Sequence, residues 1–288
     1  MRRAEVVWAV TAWYAEHARD LPWRSAEATP WGVMVSEFML QQTPVARVLE
    51  PWRQWLERWP SPAALAAEEP GEAVRAWGRL GYPRRALRLH AAAAVIVANH
   101  GGEVPSDIDA LRALPGVGEY TAAAIASFAF GQRHAVLDTN VRRVLARLDA
   151  GQAAPAHSLT RDERERAEAW LPDDPATAAR WAVAAMELGA QLCTAANPRC
   201  GTCPVSADCR WLAAGRPENA PARRSQPYAG TDRQARGALL AVLRASDSAP
   251  AERLLAAWPV DREQAERALA SLLADGLIRR ASAGRYTL

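Results

Sequence analysis

Two carboxylates and one glycine turn are the residues of this 288-residue chain best placed by type and spacing to do chemistry. Glu37 stands in Val33-Met34-Val35-Ser36-Glu37-Phe38-Met39-Leu40-Gln41-Gln42-Thr43, an acid in an otherwise apolar segment. Burial penalises its charged form, raises its pKa and keeps a proton on it to donate near neutrality. A glutamate on the solvent edge of a helix is the plain alternative, and the apolar neighbours on every side argue against it. Asp138 lies in Val136-Leu137-Asp138-Thr139-Asn140, an apolar approach to a helix start. Before it comes the turn Leu114-Pro115-Gly116-Val117-Gly118, between helical stretches at 107–113 and 119–130. Gly116 and Gly118 bring bare backbone N–H groups to an anion, beside the positive end of the following helix. With Leu114 they make a grip for a phosphate that reads no base. A phosphate clamp with a fixed carboxylate beside it suggests chemistry on a sugar.

All four cysteines, Cys193, Cys200, Cys203 and Cys209, fall in one C-x6-C-x2-C-x5-C segment. No secretory signal is expected from the first residues and disulfides are then not expected either, so the clustered thiols suggest a metal centre. Spacing alone leaves zinc open. The chain has no lysine, so its 35 basic residues are all arginines. Arginine stays protonated and cannot supply the neutral amine that a Schiff base requires. Lysine-based strand cleavage is therefore excluded.

The segments SEFMLQQT, LPGVG and LDTN, with the cysteine spacing, are similar to the helix–hairpin–helix DNA glycosylases, the superfamily of endonuclease III. Through the Glu37 segment the chain resembles the MutY-type adenine DNA glycosylases within it, from about Trp8 to Leu212. The resemblance implies that the hairpin holds DNA backbone and that Glu37 protonates the adenine. Asp138 then stabilises positive charge on the sugar, and water completes the hydrolysis. Tyr120 stands where lyase relatives carry their amine nucleophile; its implied role is a hydrogen bond to Asp138 or the sugar, and Asn140's is to position sugar or water. Gln42 is implied to wedge the base stack and Tyr82 to intercalate beside the target. Arg19, Leu21, Trp23 and Glu187 are implied to line the adenine pocket. The four cysteines match the [4Fe–4S] loop of that superfamily, implying one structural cluster that presents Arg199 and Arg210 to phosphates.

The implied function is that of a monofunctional glycosylase on double-stranded DNA, removing adenine opposite 8-oxoguanine or guanine. It would be a monomer, cytoplasmic and nucleoid-associated, with no membrane partner. An endonuclease III-like or thymine-mismatch glycosylase remains an alternative, as does a non-catalytic iron–sulfur winged-helix regulator. A hairpin for unspecific DNA binding, with Asp138 a plain helix cap, is the bland reading. Many relatives carry a large C-terminal domain that inspects the opposite base, where about 58 residues follow the linker here. Pro83 after Tyr82 and Thr139 after Asp138 also depart from the common pattern.

The elements that must position these residues are expected to be helical. Half of the chain is hydrophobic, and alternation of strand type is scarce before residue 230. The net charge of +3 is compatible with a basic groove and proves no partner. The expected fold is all-α: a two-lobed helix–hairpin–helix DNA glycosylase fold with a [4Fe–4S] loop, plus a small C-terminal winged-helix-like module. Residues 1–27 and 135–213 are assigned to the cluster lobe, and 28–134 to the bundle carrying the hairpin. Residues 214–231 are assigned to a linker and 232–288 to the module, read as three short helices and a hairpin. On the helix 139–148, Val141, Val144, Leu145 and Leu148 form an inward stripe, with Arg142, Arg143 and Arg147 expected to face out.

Overall fold

The computed structural model describes residues 3–218 and 228–288. Met1, Arg2 and residues 219–227, which take up much of the expected linker, lie outside the described residues. The chain is mostly helical. It opens with α1 (Arg3–His17), a short 3-10 turn (Pro22–Arg24), α2 (Pro30–Leu40), α3 (Val45–Arg58) and α4 (Pro62–Ala66). Next come α5 (Pro70–Trp77), α6 (Arg84–Asn99), α7 (Ile108–Ala113) and α8 (Glu119–Phe130). After these follow α9 (Thr139–Leu148), α10 (Arg161–Ala169), α11 (Pro175–Gln191) and α12 (Arg210–Ala213). The C-terminal part holds α13 (Asp232–Arg244), β1 (Ala249–Pro250), α14 (Ala251–Ala256), α15 (Arg262–Ala274), β2 (Arg279–Arg280) and β3 (Arg285–Thr287). Among the described residues no helix is long and apolar enough to cross a membrane.

Local chemistry explains most of these boundaries. Proline opens α2, α4, α5 and α11, where its missing N–H costs nothing. Thr160 and Glu163 form a reciprocal capping box on α10, and Asp174 caps α11 by accepting from the Thr177 N–H. Gly131 closes α8 in the left-handed region at φ 65°. The first helix, expected from sequence to end near Leu21-Pro22-Trp23, stops earlier, at His17, and Pro22, which cannot continue a helix, starts a separate turn. Both α12 and β1 went unforeseen, because four- and two-residue elements carry no readable period.

By contacts the chain groups into two units. The first comprises Met1–Glu37, Ser106–Ala113 and Val117–Ala222. Its core joins Val6, Val7 and Val10 of α1 to Val144, Leu145 and Leu148 of α9 and Trp181 and Leu188 of α11. Trp170 stacks on Trp181 at 5.7 Å.

The second unit comprises Phe38–Pro105, Leu114–Gly116 and Arg223–Leu288. Trp55 lies at its centre, edge-on to Trp59 at 4.7 Å and to Trp77 at 5.6 Å. Its C-terminal part has the three expected helices and a hairpin, but β1 adds a third strand, in the order β1-β3-β2 and antiparallel throughout. That is the winged-helix arrangement. The Arg75 guanidinium donates to the carbonyls of Leu243 (2.8 Å) and Arg244 (2.9 Å), the last of α13, which have no partner within their own helix. Arg244 Nε donates back to the Val74 carbonyl at 3.2 Å. A Cβ on Gly71 would lie 2.6 Å from the Leu288 carbonyl carbon, so only glycine admits the chain end there. On α15, Arg262 pairs with Glu252 and Glu266, and Arg267 with Glu263, so its charges are matched rather than basic.

Candidate active site and cysteine recess

Glu37 is in the last turn of α2 and only 5% exposed. Burial, with the nearby Asp138 charge adding to it, pushes its carboxyl up from 4.5 to about 7, although the Tyr120 hydroxyl and Arg24 pull the other way. Such an acid retains its proton over much of the neutral range. Tyr120, in the first turn of α8, donates to Glu37, where the sequence pointed to Asp138 or the sugar as its partner. Its own pKa is raised well above the phenol range by burial and by the two carboxylates, so it stays a neutral donor.

Asp138 is the N-cap of α9. Its Oδ1 accepts from the Val141 N–H at 2.6 Å, and its Oδ2 from Asn140 Nδ2 at 2.7 Å. These donors and the helix N-terminus favour the ionised form. Burial opposes them and leaves the carboxyl raised above its ordinary value. The two acids therefore differ in setting: Glu37 is buried with the Tyr120 hydroxyl as its hydrogen-bond donor, whereas Asp138 has two short hydrogen bonds aimed at it, from a backbone N–H and an amide. When one proton is shared between such a pair, the less solvated and less hydrogen-bonded partner holds it.

Beside them, Glu187 of α11 is fully buried. Burial alone would raise its pKa, yet the guanidiniums of Arg19 and Arg24 hold it at about 2. Arg19 grips it with two bonds, at 2.6 and 2.8 Å, and Arg24 adds a third at 2.9 Å. Leu21 and Trp23 are buried on the 3-10 turn that leads to Arg24. Arg24 was not singled out from sequence; it follows Trp23 directly, but only the fold brings it to Glu187.

Gly116 sits at φ 81°, and a Cβ there would lie 2.8 Å from Arg88 Cβ and 3.0 Å from the Phe38 ring. Conformation and space both demand glycine. Gly118 differs. It is extended, caps α8 without a side-chain bond, and has open space where a Cβ would point. Neither its backbone conformation nor any contact within 4 Å of a Cβ there requires glycine. Leu114 is buried as an anchor under the turn.

Gln42 and Tyr82 are exposed on two turns of the second unit, at φ 56° and 46°. Left-handed backbone at a non-glycine residue costs about 1–2 kcal/mol, so each turn is held by its surroundings.

Arg142, Arg143 and Arg147 do not face out. Arg147 is 4% exposed and donates to the carbonyls of Ala153, Thr194 and Ala195, and at 3.4 Å to Cys193 Sγ. Arg143 donates to Asn140 Oδ1, the Gly189 carbonyl and the Cys193 carbonyl. It thereby joins the residue that holds Asp138 to the start of the cysteine segment. Arg142 pairs with Glu163 at 2.8 Å. The carbonyls of these loops need donors, and the arginines of α9 are the donors within reach.

All four cysteines line one recess, with Arg147, Trp211 and Leu192 among the other walls. Burial pushes Cys203 up to about 11 and raises Cys209. Among the described residues no three His, Cys, Asp or Glu side chains stand close enough together to hold a single metal ion. Arg199 is exposed at the edge of this region, and Arg210 is engaged with the Asp149 carbonyl at 2.7 Å.

Comparison with known proteins bears directly on this constellation. The model of the HhH-GPD superfamily of base excision DNA repair proteins matches residues 35–169. An adenine DNA glycosylase of Mycobacterium tuberculosis is 54% identical over 96% of this chain and 91% of its own length. One from Mycolicibacterium smegmatis is 53% identical over 96% and 94%. The human adenine DNA glycosylase is 42% identical over 69% of the chain and 38% of its own. Among solved structures, a thermostable thymine-DNA glycosylase aligns at TM-score 0.65 and 25% identity, over 74% of this chain and 97% of that one. A non-covalent endonuclease III–DNA complex gives 0.62 at 22% over 75% and 98%, a likeness of fold.

Proposed function

This chain belongs to the adenine DNA glycosylase family, and we propose that it hydrolyses adenine from mispairs with 8-oxoguanine or guanine, leaving an abasic site in an uncut strand. It is a base excision repair glycosylase acting on adenine in DNA. The observation that carries the mechanism is the setting of its two acids: Glu37, dry and raised to about 7, beside Asp138, fixed by two short hydrogen bonds at a helix start. Glu37 donates its proton to a ring nitrogen of the adenine, which turns a poor leaving base into a better one. Asp138 stabilises the positive charge that develops on the sugar as the N-glycosidic bond lengthens. Tyr120 orients Glu37, and Asn140 orients Asp138. With the base gone, Glu37 is left as a carboxylate able to take a proton from the attacking water.

Arg19, Leu21, Trp23 and Glu187 are assigned to the adenine pocket, Gln42 and Tyr82 to insertion into the duplex, and the hairpin at Leu114, Gly116 and Gly118 to the phosphate backbone. The lobes are assigned as 1–27 with 135–213 and 28–134, and the protein acts as a monomer. Strand cleavage through a lysine Schiff base is absent, since no lysine exists to form it. Four thiols around one recess, with the Arg147 guanidinium at Cys193 to offset negative charge, suit a [4Fe–4S] cluster held by Cys193, Cys200, Cys203 and Cys209. When bound, such a cluster supplies a covalent staple for the loop and no part of the hydrolysis.

A thymine/uracil-DNA glycosylase of Pyrobaculum aerophilum, 34% identical over 69% of this chain, marks the reading to test against. Single-turnover excision on duplexes carrying A:8-oxoG, A:G and T:G separates the two. Adenine release from the first two, with no borohydride-trapped adduct, is expected. Thymine release from T:G in its place overturns the assignment.

A further inference from the structure

Arg85 is a cation buried without a counter-ion. It is 5% exposed on the first turn of α6, and among the described residues no carboxylate pairs with it. Its Nη1 donates to the carbonyls of Phe38 (2.7 Å), Met39 (3.0 Å) and Gln41 (2.6 Å). Those groups close α2, the helix that carries Glu37, and the negative end of a helix offsets a positive charge. Its Nη2 donates to Thr43 Oγ1 (3.0 Å) and the Gly81 carbonyl (3.1 Å). The Thr43 hydroxyl in turn reaches the Leu80 carbonyl at 3.3 Å. The guanidinium lies over the rings of Trp77 and Tyr82, at 5.2 and 5.5 Å.

One side chain thus joins two turns that are far apart in sequence, 41–43 and 80–82. Those two turns hold Gln42 and Tyr82, both in left-handed backbone that neither residue favours on its own. A buried charge is costly, and a packed apolar side chain in its place would often be at least as stable, so stability alone does not account for an arginine here. Its planar fork does: Nη1 and Nη2 together donate to oxygens of both turns, while Nε is left buried without an acceptor.

We propose that Arg85 is a positioning residue for base extrusion, holding the Gln42 and Tyr82 turns in register with each other and with the end of α2. This rests on the reading of Gln42 and Tyr82 as the residues inserted into DNA. Losing the guanidinium releases both turns together, and the enzyme then binds duplex but extrudes adenine poorly.

The test uses Arg85→Lys, which keeps the charge and loses the fork, with Arg85→Met as the harsher variant. If Arg85→Met does not fold, Arg85→Lys carries the test. Three measurements apply to the full chain: amide exchange, single-turnover excision, and fluorescence of 2-aminopurine placed beside the target adenine. Exchange is expected to rise together at 41–43 and 80–82 while α9 and α11 are unchanged. Excision is expected to fall at least tenfold, with a matching loss of the 2-aminopurine signal and less than a threefold change in affinity for unmodified duplex. Tyr82→Ala should then add little in the Arg85→Lys background, because the two act as one unit. Loss of excision with both turns still protected overturns the proposal, as does an additive double variant. If Gln42→Ala and Tyr82→Ala each leave extrusion intact, the insertion reading fails instead, whatever exchange reports for Arg85.

Discussion

Replacing Glu37 by glutamine removes one titratable proton from a dry site, and the consequence can be worked in both stability and rate. In the folded chain the Glu37 carboxyl is raised from 4.5 to about 7, by burial first and the Asp138 charge second. A folded pKa above the unfolded one means that the folded state holds the proton where the unfolded state has lost it. Stability from this group is therefore complete below pH 4.5, and is lost as pH rises through 7. Across that window the loss is about 3 kcal/mol, at 1.36 kcal/mol for each tenfold change in proton affinity. Glu37→Gln cannot lose it. Urea unfolding of both proteins from pH 4.5 to 8.5 should show the variant gaining about 3 kcal/mol relative to the parent, levelling off above pH 8. Adenine excision should fall tenfold per pH unit above about 7 in the parent, because only protonated Glu37 donates, and should be absent in the variant at every pH. Parallel stability curves, or a rate flat through pH 9, would refute the argument that burial keeps this acid protonated.

Other consequences are as definite. Tyr120→Phe deletes a donor that lowers the Glu37 pKa, so the alkaline limb of the excision profile should move upward from 7; a downward move means the hydrogen bond is misassigned. Asp138→Asn should slow excision at least a hundredfold, about 3 kcal/mol, while retaining duplex affinity in a gel-shift assay. Arg147→Met leaves the carbonyls of Ala153, Thr194 and Ala195 without their donor, and should cost about 3 kcal/mol in thermal unfolding and reduce bound iron. Gly71→Ala places a Cβ 2.6 Å from the Leu288 carbonyl carbon, and should lower stability by about 1–3 kcal/mol and expose the C-terminal residues to carboxypeptidase.

The amino-acid sequence by itself determined where most helices begin and end, because proline, glycine and capping residues act on their own neighbours. It also pointed to a dry Glu37, since Val33, Met34, Phe38 and Leu40 around it in one helix are apolar. The chain lacks lysine whatever its fold, and the cysteine spacing is likewise local. Comparison with relatives then identified the family that those motifs had indicated. The tertiary structure alone decided which arginines are structural. Arg85, Arg143 and Arg147 look like solvent-facing cations in a helical pattern, yet each is turned inward by carbonyls forty or more residues away in the chain. The partner of Tyr120 and the double arginine grip on Glu187 were decided in the same way. The physical reason is range. Apolar periodicity and backbone preference act over a few residues, whereas a guanidinium is buried only where distant, unsatisfied oxygens converge, and that convergence exists only once the chain has folded.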